Sequence, residues 1–280
     1  MPGSVPDSVI ARALAEDVGS GDVTTDAIVP PDLRGSADVV VREAGVICGL
    51  DQAFAVLLEL DPTARIELLA QDGDRIEHPP QVVARLHASL RALLTGERTA
   101  LNLLQRMSGI ATTTRRYADL VAGTGVQLLD TRKTAPGLRA LDKHAVACGG
   151  GTNHRAGLHD AVLIKDNHVA VAGGVPAAVE RVRLGHPGRP VEVEVDTLDQ
   201  LQQALAAGAD VILLDNMPPA QLRRAVATTA GRARLEASGG ITTDTIREVA
   251  ETGVDAISVG ALTHSVRALD IALEVPPSAS

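Results

Sequence analysis

Six short apolar runs rich in Val, Ile and Leu recur through the second half of the chain. They are "VQLLD" (126–130), "AVLIK" (161–165), "VEVEV" (191–195), "VILLD" (211–215), "ARLEAS" (233–238) and "AISVG" (256–260). Helical stretches such as "LDQLQQALAAGAD" and "PPAQLRRAVATTAG" separate the later runs. Strand, helix and strand at intervals of about 20–25 residues is the rhythm of a parallel sheet covered by helices. No GxGxxG follows the first run, which favours a barrel-like winding over a dinucleotide fold.

Polar groups gather at one end of each run. Asp130, Thr131, Arg132 and Lys133 follow the first, and Lys165 closes the second. Glu194 lies in the third and Asp215 closes the fourth. Ser238, Gly239 and Gly240 follow the fifth, and Gly260 follows the sixth. The carboxyl ends of parallel barrel strands form the active face, so these groups are expected to converge on one mouth.

The first ~110 residues read as mixed α/β. "PDSVIARALAEDV" is an amphipathic helix with Asp7 or Ser8 as cap, "GSADVVVREAGVICG" is strand-like, and "DQAFAVLLEL" is helical. A long helical pattern starts at "ERTALNLLQRMSG", with Arg98 at its head. A cation there opposes the helix dipole and fits an anion held at that end.

Composition narrows the ligands. The chain carries a net charge of −9, with no Trp, one Tyr and one Phe. It lacks both the basic surface and the stacking aromatics of a nucleic-acid binder. Yet residues 130–168 gather Arg132, Lys133, Arg139, Lys143, Arg155 and Lys165, with His144, His154, His159 and His168. The carboxylates Asp130, Asp142, Asp160 and Asp166 offset only part of that charge; pairing with them suffices for Lys143 and Arg139. The remaining cations call for a small ligand with several negative charges. Cys48 and Cys148 show neither CxxC nor zinc-type spacing and read as two buried thiols of a reducing compartment. There is no signal-peptide pattern and no apolar run of the ~18 residues a membrane span needs, so a cytoplasmic protein is expected.

The glycines point to phosphate. In "EASGGITTDTI", Ser238, Gly239 and Gly240 stand before a helix expected to start at Thr242 or Thr243. "SVGALTHS" repeats the arrangement around Ser258, Gly260 and Ala261. Phosphate bound by the last two strand–helix loops is a recurrent barrel feature. Glu194 and Asp215 form a carboxylate pair suited to holding ribose hydroxyls, supporting a metal or stabilising a developing cation. Alternation in "VEVEVD" puts Glu192 and Glu194 on the same face.

Nearly the whole chain resembles the quinolinate phosphoribosyltransferase family. The resemblance rests on "EDVGSGDVTTDAIVP", "GERTALNLLQRMSGIAT", "DTRKTAPGLRALDKHAV", "GGGTNHRAGLHDAVLIKDNH", "VEVEVDTL", "LLDNM" and "EASGGI". Many relatives carry an aromatic residue where His144 stands and a basic one where Ala147 stands. The resemblance implies an N-terminal α/β sandwich (1–110, with 266–280 packing back on it) and an incomplete α/β barrel of six or seven strands (111–265). It implies a homodimer with shared active sites, and transfer of phosphoribosyl from phosphoribosyl pyrophosphate to quinolinate with decarboxylation. Thr131, Arg132, His154, Arg155 and Lys165 would hold quinolinate, with Arg98 reaching in from the partner chain. Lys133 would face pyrophosphate. Glu194 and Asp215 would hold the ribose and, through water and pyrophosphate, magnesium. Ser238, Gly239, Gly240, Ser258, Gly260 and Ala261 would cradle the 5′-phosphate. A same-fold enzyme with another acceptor and a non-catalytic nucleotide sensor are the rival readings; intact Lys133, Glu194 and Asp215 speak against the sensor.

Overall fold

The computed structural model describes residues 9–275. In chain order these form α1 (Val9–Val18), α2 (Val23–Ile28), β1 (Arg34–Val41), β2 (Gly45–Val46), α3 (Leu50–Leu60), β3 (Arg65–Leu68), β4 (Arg75–Ile76), β5 (Gln81–Ser89) and α4 (Leu90–Leu120). There follow β6 (Gln127–Leu129), α5 (Arg139–Cys148), β7 (Val162–Ile164), α6 (Asp166–Ala172), α7 (Val175–Gly185), β8 (Val191–Val195), α8 (Leu198–Ala206) and β9 (Val211–Asp215). Last come α9 (Pro219–Thr229), β10 (Arg234–Ser238), α10 (Ile246–Ala250), β11 (Ala256–Ser258), α11 (Ala261–His264) and β12 (Ile271–Glu274). The cap proposed for α1 at Asp7 or Ser8 lies outside the described residues.

Two compact units result. Of the described residues, one comprises 9–113, 135–149 and 266–275, the other 114–134 and 150–265. The division into compact units falls inside α4, and α5 is grouped with the first unit. A buried ion pair ties α5 to α4. Asp142 of α5 is fully buried and takes Arg106 of α4 through two bonds of 2.9 and 2.7 Å. It also accepts the Ala135 amide at 3.0 Å.

The first unit is built on an antiparallel sheet of order β12-β1-β5-β3. Alternation along β1 sends Ala37, Val39 and Val41 into a core with Leu86 and Ala88 of β5. Phe54 and Leu57 of α3 and Leu93, Leu101 and Leu104 of α4 complete it. Full burial of each large side chain contributes about 1.5–3 kcal/mol. Asp22 caps α2 by accepting the Thr24 and Thr25 amides.

The second unit holds all six expected strands, in one sheet of order β6-β11-β10-β9-β8-β7. Every pairing in it is parallel. Strands β7 to β11 lie side by side in sequence order, and β6 adds to β11. On the other edge of β6 a single parallel bridge joins Leu129 to Thr152. It is closed by the bonds Thr152 N–H to Leu128 O (2.8 Å) and Asp130 N–H to Thr152 O (3.1 Å). This one-rung addition is the trace of a seventh strand in an otherwise open, six-stranded α/β barrel. In β8, Val191, Val193 and Val195 are buried on one face, leaving Glu192 and Glu194 to the other. The same parity in β10 separates Leu235 and Ala237 from Glu236 and Ser238.

Candidate active site

The polar strand ends of the second unit do converge. Thr131, Arg132, Lys133, His154, Arg155, Leu163, Lys165, Glu194, Leu213, Asp215, Glu236, Ser238 and Ser258 line one cavity of ≈ 340 Å³. Parallel register explains the convergence: Ser238 stands opposite Asp215, and Glu194 opposite Leu213. Ten of the residues expected at the mouth therefore share one wall. Gly239, Gly240, Gly260 and Ala261 follow directly on the strands that carry Ser238 and Ser258.

The loop after β6 is fixed from within. Buried Asp130 accepts the His154 amide at 2.8 Å, and Thr131 Oγ1 accepts the Lys133 amide at 3.0 Å. Asp160 folds the following loop by accepting the Ala156 and Gly157 amides at 2.6 and 2.9 Å, which hold its pKa at about 2. Both carboxylates are thus engaged with backbone. The Arg155 guanidinium donates to Ala161 O at 3.2 Å, and burial and the neighbouring charge of Arg132 lower its pKa. An arginine held this way gains from an anion.

His154 is oriented from both sides. Its Nδ1 accepts the Arg155 amide at 2.7 Å, so the ring proton sits on Nε2. That atom lies 3.3 Å from Glu192 and 3.6 Å from Glu236. The bond to Glu192 raises the pKa of the imidazole against the opposing effect of burial. Burial, then repulsion from Glu192, pushes Glu236 up to about 7. Glu236 was not among the expected site residues. Its signal in the sequence is parity: it stands two residues before Ser238 on the same face of β10. Among the described residues of this unit, His154, Glu192 and Glu236 bring ligand atoms within 4.8 Å of one another.

Lys165 donates from Nζ to Glu194 Oε2 at 2.8 Å. Asp215, next along the sheet, has its pKa raised by burial and then by the charge of Glu194. Lys165 and Lys133 pull it the other way. Asn216 donates to Asp215 at 2.7 Å from a left-handed backbone (φ 53°).

Gly239 is required by close approach. At φ +91° a Cβ there would meet the Asn216 backbone N at 2.8 Å and collide with that side chain. A Cβ at Gly240 (φ +61°) would meet nothing within 4 Å. The backbone there is open to a ligand.

Two expectations are corrected. The helix after the Gly pair starts at Ile246, not at Thr242 or Thr243. Thr242 to Thr245 form a turn closed by Thr245 Oγ1, which accepts the Thr242 amide at 3.0 Å. Thr and Asp side chains compete with helix at these positions. Arg98 does not head a helix: α4 begins at Leu90, so Arg98 is an exposed residue of the helix interior, and the helix-dipole argument lapses.

Comparison with known proteins identifies the family. The N-terminal domain model of quinolinate phosphoribosyl transferase matches residues 22–108, and the C-terminal domain model matches 110–274. A nicotinate-nucleotide pyrophosphorylase (carboxylating) of Mycobacterium leprae is 49% identical over 272 residues, covering 95% of each chain. A probable enzyme of the same name from Bacillus subtilis is 44% identical, over 93% of this chain and 90% of its own. The solved structure of nicotinate-nucleotide pyrophosphorylase from Francisella tularensis superposes with a TM-score of 0.91 at 41% identity, over 95% of this chain and 94% of that one. The chain belongs to the quinolinate phosphoribosyltransferase family, the phosphoribosyltransferases of NAD biosynthesis.

Proposed function

We propose that the family's reaction takes place in this cavity, with the residue roles that follow. The observation that carries the reading is one cavity lined by four permanent cations, Arg132, Lys133, Arg155 and Lys165, and by the carboxylates Glu194 and Asp215. Quinolinate brings two carboxylates, and phosphoribosyl pyrophosphate brings a phosphate and a pyrophosphate. Thr131, Arg132, His154, Arg155 and Lys165 bind the pyridine dicarboxylate. Lys133 faces the pyrophosphate. Ser238, Gly239, Gly240, Ser258, Gly260 and Ala261 hold the 5′-phosphate.

The ring nitrogen of quinolinate attacks C1 of the ribose as the bond to pyrophosphate breaks. Positive charge grows on the ribose, and Glu194 and Asp215 stabilise it. The alkylated nitrogen then accepts the electron density left when the adjacent carboxylate departs as CO2. A proton takes its place, and nicotinate mononucleotide results. The protein's part is alignment and field.

Magnesium fits this donor set in one way. Glu194 and Asp215 belong to no cluster of three or more ligand groups among the described residues, so they make no cage. Magnesium keeps waters and binds through one or two carboxylates plus substrate phosphates. Asp215, its pKa raised by burial and by Glu194, would gain from a cation nearby. When bound, the ion neutralises the departing pyrophosphate.

The chain acts as a cytoplasmic homodimer, with Arg98 serving the partner's cavity. No described helix is long and apolar enough to cross a membrane. Incubation with quinolinate, phosphoribosyl pyrophosphate and magnesium tests the reaction. Nicotinate mononucleotide, pyrophosphate and CO2 in equal amounts are expected. Another acceptor used in preference would favour the rival transferase.

A further inference from the structure

Four metal-ligating side chains meet in the first unit, among residues the reaction does not use. Cys48 follows β2, Asp72 lies between β3 and β4, and His144 and Cys148 stand on α5. Their ligand atoms all lie within 4.8 Å of one another. Cys48 Sγ is 3.6 Å from Asp72 Oδ2, His144 Nε2 is 3.0 Å from that same oxygen, and Cys148 Sγ is 3.5 Å from His144 Nε2. We propose that Cys48, Asp72, His144 and Cys148 form a four-ligand site for a thiophilic divalent cation of the zinc class.

The distances carry the proposal. Zinc bonds of about 2.3 Å to sulfur and about 2.0–2.2 Å to nitrogen and oxygen, at tetrahedral angles, set ligand atoms about 3.3–3.8 Å apart. The three spacings above need to change by only a few tenths of an ångström. Two sulfurs, one imidazole nitrogen and one carboxylate oxygen also make a soft set that selects zinc over magnesium.

The ligands are held in place by other bonds. The amide and carbonyl of Cys48 both bond to Ser108 Oγ, at 3.0 and 3.1 Å. Asp72 Oδ1 accepts the Gly49 and Leu50 amides at the start of α3, at 2.9 and 3.1 Å, and Oδ2, the oxygen facing Cys48 and His144, shares the Gly49 amide at 3.0 Å. His144 and Cys148 are four residues apart on a helix and share a face. Such outer bonds orient metal ligands. Cys48 is buried, whereas His144 is 48% exposed on its side chain, so a cation has a way in. The sequence reading of two buried thiols with no zinc-type spacing misses this, because Cys148 is only half-buried and its partner ligand is a histidine, His144, one helical turn away.

Both cysteines are free thiols. A disulfide between them would use two of the four groups and leave the convergence of His144 and Asp72 without purpose. Metal uptake deprotonates both thiols and releases their protons to solvent.

The test uses the full chain, reduced and stripped with a chelator, then titrated with Co²⁺ and separately with Zn²⁺. Expected are one cobalt per chain, thiolate-to-cobalt charge transfer in the near ultraviolet, the strong visible bands of a tetrahedral ion, and displacement by zinc. Cys148→Ser should remove much of the charge transfer, and His144→Phe should weaken binding at least about tenfold. Both positions are partly exposed, so these variants should fold even if Cys48→Ser does not. Cobalt held without charge transfer, as the oxygen and nitrogen ligands of the His154 cluster would hold it, overturns the proposal. So does charge transfer that survives unchanged in Cys148→Ser, or no uptake by a protein whose two thiols are shown to be free.

Discussion

Lys165 Nζ and Glu194 Oε2 lie 2.8 Å apart across neighbouring strands. The lysine assigned to the dicarboxylate is thus already paired with the carboxylate assigned to the ribose. Binding quinolinate must share or exchange that ammonium, which couples the two substrate subsites. Glu194→Gln should lower kcat more than it raises KM for quinolinate, since its charge matters most as the ribose becomes cationic. Steady-state kinetics of Glu194→Gln, Lys165→Ala and the double variant should show non-additivity of about 0.5–3 kcal/mol. Strict additivity would mean that the pair is incidental.

Glu236 makes stability fall with pH. Its folded pKa of about 7 exceeds the unfolded value of about 4.3, so the folded state holds its proton more tightly. That contribution is full below the unfolded value and is lost as pH rises through about 7. Glu236→Gln should therefore gain stability relative to the parent at pH 8 and gain less at pH 5. Urea unfolding at both values reads the difference. An equal effect at the two would show that Glu236 titrates normally.

Asp142 ties α5 to α4 within the first unit. Asp142→Ala removes the two bonds to Arg106 and the bond to the Ala135 amide. A loss of about 3–5 kcal/mol is expected from breaking such a buried pair, measured as a drop in the urea midpoint. A loss under 1 kcal/mol, roughly that of a surface pair, would contradict the role given to it.

The parallel sheet was legible because its strands are short apolar runs, and pleat parity then fixed which side chains face the mouth. Thr131 to Lys133, Lys165, Asp215 and Ser238 followed from that alone, whereas the choice of Glu194 over Glu192, on the same face of the strand, rested partly on the family resemblance. Glu236 was missed because "RLEAS" reads as a strand core, although its parity matches Ser238. The head of α4 was misplaced because Gly96 interrupts the helical pattern "SLRALLTGERTAL" just before Arg98. Propensity marks a break there, and tertiary burial of Leu93 and Leu101 overrides it. The Arg106–Asp142 pair, which ties α5 to α4, was not legible because it joins residues far apart in sequence.

Arg98 tests the shared site. Arg98→Ala and Lys165→Ala, each inactive alone, are denatured and refolded together. If Arg98 acts across a two-fold dimer, one site of each heterodimer carries both lesions and the other carries neither. About half the dimers are mixed, so about a quarter of all sites should be restored. Heterodimers shown to be present yet inactive would place Arg98 in its own chain's site or in a structural role.

The cationic pocket is tested most directly by turnover of quinolinate against nicotinate, under the same phosphoribosyl pyrophosphate and magnesium. Nicotinate lacks one carboxylate and leaves part of the Arg132, Arg155 and Lys165 wall without its anion. A hydrogen bond to a charged group contributes about 1.5–3 kcal/mol, so the loss of one carboxylate's bonds should make nicotinate turn over at least about tenfold more slowly. Comparable turnover of the two acids would contradict a pocket built for a dicarboxylate.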